Sequence, residues 1–179
     1  MIRRISVLFI RKMAEKDKVF SSKIKYNGVI NFAEFYKFCY EWLRDETGLL
    51  LSENKYAEKI NGDTKNIDIE WNGYRNLTDY FRFEAKIIFR VLGLTNVEIT
   101  EGAQKIRTNK GSVEVGINGN LVRDYDGKFE KSAFQKFLRG IYEKFVIAAR
   151  VEQFQEKVIS GCDEFLAQGK AYMDLVGKR

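Results

Sequence analysis

The hydrophobic period of this chain changes twice, and that change limits the fold more than any single residue does. Phe32, Phe35, Tyr36, Cys39, Trp42 and Leu43 recur at three- and four-residue spacing, which is one apolar stripe of a helix. From about residue 51 to 125 apolar and polar residues alternate instead, as in strands with one wet face. From about 130 to 176 the helical spacing returns. Short connections between the strands favour antiparallel pairing. The pattern predicts an α+β protein with an antiparallel, curved sheet of about five strands over 51–125. An N-terminal helix over 32–47 and a long C-terminal helical region over 130–176 should cover its apolar face.

Local signals sharpen these boundaries. Asn31 is a candidate N-cap with Glu34 as its capping-box partner, and Gly48 supplies the stop. Short β-like stretches lie at 5–10 and 19–26. The clearest strand runs from Tyr80 to about Leu92, and Gly93 is expected to break it before a separate strand at Val97 and Ile99. Asn118-Gly119 reads as a bend within one long strand in preference to a hairpin turn. Ser132 is a candidate cap for the helix that carries Phe134, Phe137, Leu138 and Ile141. As one rod, the C-terminal region would be roughly 65 Å long, whereas a domain of this length has a radius of gyration of about 16 Å. It must either break near Ala148-Ala149 or project beyond the sheet over 150–176, where a projecting apolar stripe would need a partner.

At 179 residues the chain is one domain's worth. No apolar run approaches the roughly 20 residues of a membrane span, and Val7-Leu8-Phe9-Ile10 is short for a signal peptide. Cys39 and Cys162 lie far apart among apolar neighbours, which fits buried thiols in a reducing, cytoplasmic setting. The absence of histidine removes the commonest general base, the Ser-His and Cys-His pairs and most zinc sites. The net charge of +6 is carried entirely by residues 1–30, so the remainder is neutral and a whole-body nucleic-acid footprint is disfavoured. Residues 1–12 read as a basic extension, and Met13 reads as well as Met1 as a translation start.

No spacing nominates a catalytic, metal or cofactor site. Asp124, Asp126 and Glu130 around Gly127 make a fragment of a calcium loop, and favourable acids near a helix start explain them equally well. Asp68, Glu70 and Glu84 share polar strand faces with cationic neighbours. Lys105, Arg107 and Lys110 cluster at a strand connection that Lys23 and Lys25 would join if the first strand is near. The layout alone resembles helix-grip (START-like) domains, in which a curved sheet wraps a long C-terminal helix around an apolar cavity. That resemblance implies a carrier of a small apolar ligand or lipid, with Phe83, Ile87, Phe89, Val115, Phe137 and Ile141 as cavity or core lining.

The leading expectation is a non-enzymatic interaction or structural protein that forms homo-oligomers through its C-terminal helices. Phe154, Val158, Phe165 and Tyr172 are the expected interface residues. A third reading gives Arg3, Arg4, Arg11 and Lys12 an anionic partner, either nucleic acid or a membrane surface met by residues 1–13.

Overall fold

In the computed structural model, which describes residues 15–101, 104–127 and 132–176, one sheet carries a layer of helices on one face. The elements follow in the order β1 (Glu15–Ile30), α1 (Phe32–Asp45), β2 (Leu50–Asn61), β3 (Thr64–Asn76), β4 (Phe81–Glu101), β5 (Gln104–Arg123), α2 (Ala133–Phe145) and α3 (Ala148–Val176). The five strands pair antiparallel in the order β1-β5-β4-β3-β2, an open sheet with β1 and β2 at its edges. Strands β2 to β5 follow one another as hairpins. β1 returns to the far side of β5, so α1 has to carry the chain from one edge of the sheet to the other.

The expected five strands are present, with two differences in their make-up. The runs at Tyr80–Leu92 and Val97–Ile99 belong to one strand, β4. Gly93 does not end it but bulges it: its φ is +62° and the pairing with β5 shifts between Leu92 and Thr95. Glycine takes that left-handed conformation without a Cβ penalty, and Asn66 Oδ1 accepts from the Gly93 amide at 2.8 Å. The fifth strand is β1, a single element spanning the short 19–26 stretch. Asn118-Gly119 lies inside continuous β5, as expected. Asn31 Oδ1 accepts from the Glu34 amide and Ser132 Oγ from the Gln135 amide, so both candidate caps are real. The C-terminal rod is broken at Val146-Ile147, and α3 does not project: it lies along β1 and β5.

The core fills the space between sheet and helices. Trp71 and Phe89 meet edge to face at 4.7 Å, and Tyr36 of α1 packs on Trp71 at 4.8 Å. The Tyr36 hydroxyl accepts from Trp71 Nε1 at 3.1 Å and donates to Glu53. Between the two long helices, Trp42 meets Phe165 and Phe38 stacks on Tyr172. α3 approaches β5 closely at Gly119, where an added Cβ would stand 2.7 Å from Cys162 Sγ and 3.0 Å from Val158.

Two outcomes follow. Gly119→Val should lower the unfolding free energy by about 1–3 kcal/mol by forcing α3 from the sheet. Gly116→Ala, whose Cβ would meet nothing nearer than 3.5 Å, should be neutral or slightly stabilising; urea unfolding midpoints distinguish the two. Burial, and then the hydrogen bond to Glu53, raise the Tyr36 phenol to about 12. A phenol raised on folding binds its proton more tightly in the native state. Its contribution is therefore complete below about pH 10, the usual tyrosine value, and is lost as pH rises toward about 12. Urea titrations across that window should show a shallower loss of stability in Tyr36→Phe than in the parent.

Candidate functional site

The apolar face of the sheet does not stay apolar to its end. Glu15 and Asp17 of β1 pair with Arg123 and Leu121 of β5, and Arg123 pairs with Phe81 of β4. Residues that face each other across an antiparallel pair share a face, so two carboxylates and a guanidinium end the surface on which the helices lie. α2 covers this patch. Its Arg139 and Glu143, one turn apart, point down into it.

The result is a compact ionic layer. Arg123 donates to Glu143 at 2.8 Å and contacts Asp17 at 2.8 Å and Glu15 at 3.1 Å. Arg139 reaches Glu15 at 3.1 Å, Glu143 at 3.6 Å and Asp124 at 3.8 Å. The Tyr80 hydroxyl donates to Glu143 as well. Arg123, Arg139 and Glu143 are each at least four-fifths buried, and Asp124 almost fully so. Burial alone would lower the Arg123 guanidinium, but Glu143, Asp17 and Glu15 outweigh it and hold it above its ordinary value. Burial, followed by the bond to Glu143, lifts the Tyr80 phenol well above the usual range.

Because α2 docks by its charged side, its apolar side faces water. Phe134, Phe137 and Phe145 are 67%, 63% and 72% exposed, and Leu138, Ile141 and Tyr142 are exposed beside them. At 100° per residue these six fall within one arc opposite Arg139 and Glu143. A groove of about 560 Å³ runs between Tyr80 and the Leu138, Ile141, Tyr142 and Val146 side chains, and its lining is almost wholly apolar. Taking ~150–250 Å² per aromatic side chain, the exposed stripe amounts to roughly 600–700 Å². That is above the ~300–600 Å² of the largest patch on a typical monomer.

Several residues singled out from the sequence lie elsewhere than expected. Phe83, Ile87, Phe89 and Val115 are buried on the helix-covered sheet face, whereas Phe137 and Ile141 stand in solvent on α2 and line no cavity with them. The reason is the ionic layer, which turns α2 over. Val158 and Phe165 are 1% exposed, Phe154 packs on Phe81 at 4.8 Å and Tyr172 stacks on Phe38, so the expected α3 interface is spent on the chain's own core. Arg3, Arg4, Arg11, Lys12 and Glu130 lie outside the described residues. Asp124 pairs with Arg139, and among the described residues no group of three acids or cysteines is placed to hold a metal. Asp68, Glu70 and Glu84 are ion-paired with Arg90, Lys86 and Lys16. Lys23 and Lys25 sit opposite Gly116 and Glu114, well along β5 from Lys105, Arg107 and Lys110, and do not join that cluster.

A second concavity lies where α1, α3 and the sheet meet. This cleft of about 410 Å³ has an apolar floor of Trp42, Leu77, Phe83 and Phe154 and a rim of Glu46, Arg75, Lys157 and Glu164. No helix among the described residues is long and apolar enough to cross a membrane. No protein-family model matches this sequence, and no curated protein is significantly similar to it.

Arg123→Ala removes the cation that three carboxylates share. Breaking a well-buried pair costs about 3–5 kcal/mol; Glu15 and Asp17 are partly exposed, so a loss of about 2–4 kcal/mol is expected in urea unfolding. Arg123→Lys, which keeps the charge without the fork, should lie between.

Proposed function

We propose that this is a non-enzymatic interaction protein that self-associates through α2. The exposed phenylalanine stripe on a helix held down by its charged side carries this reading. Fully burying a side chain of this kind contributes about 1.5–3 kcal/mol, so three phenylalanines left mostly in water are a large unrealised gain. The roughly 600–700 Å² available approaches the ~800 Å² per partner of a standard interface. A second copy is the natural occupant. Two α2 helices related by a two-fold axis would lay the same apolar stripe against itself. Each helix is about 20 Å long at 1.5 Å per residue. Among the described side chains no charged group lies within the stripe itself, and Lys144 borders it at Phe145 near one end. Tyr142, at the edge of the stripe, has an apolar body and a polar tip suited to an interface rim.

A second reading keeps the cleft between α1, α3 and the sheet as a ligand site. Its apolar floor and charged rim fit a small amphiphile better than the wholly apolar ligand expected from the sequence.

Sedimentation velocity from nanomolar to high micromolar concentration tests the first reading. The parent should shift from monomer to dimer, and Phe137→Asp with Ile141→Asp should stay monomeric with an unchanged circular dichroism spectrum and melting temperature. A parent that remains monomeric throughout would overturn it.

A further inference from the structure

Among the described residues no element covers the face of the sheet opposite the helices, and the fold sorts charge onto it. Counting across the strands in the rows from Lys16 to Asn27 of β1, this face carries nine cations and four acids, a surplus of five. The four acids are already engaged: Lys16–Glu84, Lys23–Glu114, Lys86–Glu70 and Arg90–Asp68 lie within 2.7–3.7 Å. Lys18, Lys25, Lys55, Lys59 and Arg82 make no salt bridge with a carboxylate among the described residues, although Lys55 adds to the positive field that, behind Lys86, lowers Glu70. Four of the nine cations, Lys16, Lys18, Lys23 and Lys25, come from β1, so part of the basic surplus of residues 1–30 is displayed on this face. Lys18 and Lys25 stand on the β1 edge of this face, Lys55 and Lys59 on the β2 edge, and Arg82 on central β4 between them.

The rest of this face is suited to more than charge. Arg82 contacts two rings, its guanidinium carbon 4.1 Å from the centre of Tyr125 and 5.1 Å from that of Tyr74, and Tyr74 is 44% exposed. Beside them is a depression of about 450 Å³ whose lining includes Arg82, Lys86, Asn72, Tyr74 and the Lys16–Glu84 ion pair. The exposed Asn72 amide can both donate and accept, as base edges require. Phosphate contacts from lysine and arginine, stacking on an aromatic or guanidinium plane and side-chain amides are the elements of single-strand recognition.

We propose that the open sheet face binds single-stranded nucleic acid. Lys18, Lys25, Lys55 and Lys59 contact the phosphodiester backbone, and the Tyr74–Arg82 pair stacks a base. This surface lies on the opposite side of the sheet from α2, so it does not depend on self-association. A dimer formed through α2 would present two such faces.

Fluorescence anisotropy with a labelled oligo(U) and the full-length protein tests the proposal. Binding should weaken with salt, with a slope of log K against log salt of roughly −2.8 for four neutralised phosphates at about −0.7 each. Lys18→Glu with Lys25→Glu should weaken binding at least about tenfold, and Tyr74→Ala by about fivefold or more. Lys37→Glu with Lys170→Glu makes the same change in net charge on the helix layer and should leave affinity within about twofold. Equal losses in the two double variants, or no binding at low salt, would overturn the proposal. So would displacement of the oligonucleotide by phosphatidylserine vesicles whose binding depends on Lys18 and Lys25, which would assign the face to a membrane surface.

Discussion

Everything distinctive about this molecule depends on where Arg123 lies. A guanidinium at the end of an otherwise apolar sheet face, flanked by Glu15 and Asp17, cannot be covered by hydrocarbon without a penalty of several kcal/mol per buried ion. An amphipathic helix arriving there has two orientations. With its apolar stripe down, it buries phenylalanines but puts hydrocarbon over Arg123, Glu15 and Asp17, whose mutual pairing leaves one carboxylate in excess. With its polar stripe down, it satisfies those charges through Arg139 and Glu143 and leaves the phenylalanines in water. The chain adopts the second, because an unpaired buried charge costs more than an exposed ring.

That choice turns a packing problem into a surface. α1 and α3 behave as ordinary core helices, with apolar faces against Trp71, Phe89 and Val115. α2, connected to α3 through the buried Ile147, is joined to the sheet by ion pairs and hydrogen bonds. Such contacts are directional, so they fix the rotation of the helix about its axis more firmly than apolar contacts would. The proposed dimer and the proposed nucleic-acid face use opposite sides of the sheet, and this separation follows from the same β-strand alternation. One row of side chains is core and the next is solvent.

Much of this was legible in the sequence. The two changes of period located the helices and most strands, Asn31 and Ser132 marked two helix starts, and the alternation in β4 placed its core face. The rotation of α2 was not legible from its own stripe, which reads as a core face. The missing signal was non-local: Asp17 and Arg123 occupy core-side positions of β1 and β5 and come together only when the first and last strands pair. The same long-range pairing hid the basic face, since Lys18 and Lys25 were counted with an N-terminal arm when they belong to the sheet. Gly93 was misread because a glycine that ends a strand and one that bulges it look alike until the partner strand is known.

The orientation of α2 is the central claim, and maleimide labelling of Phe137→Cys as a function of protein concentration tests it most directly. Cys39 and Cys162 are buried, so the introduced thiol reports alone. Rapid labelling in dilute solution, with progressive protection as concentration rises, is the result expected of an outward apolar stripe covered by a second copy. Protection at every dilution would mean that the stripe faces the sheet and that the ionic layer does not set the helix.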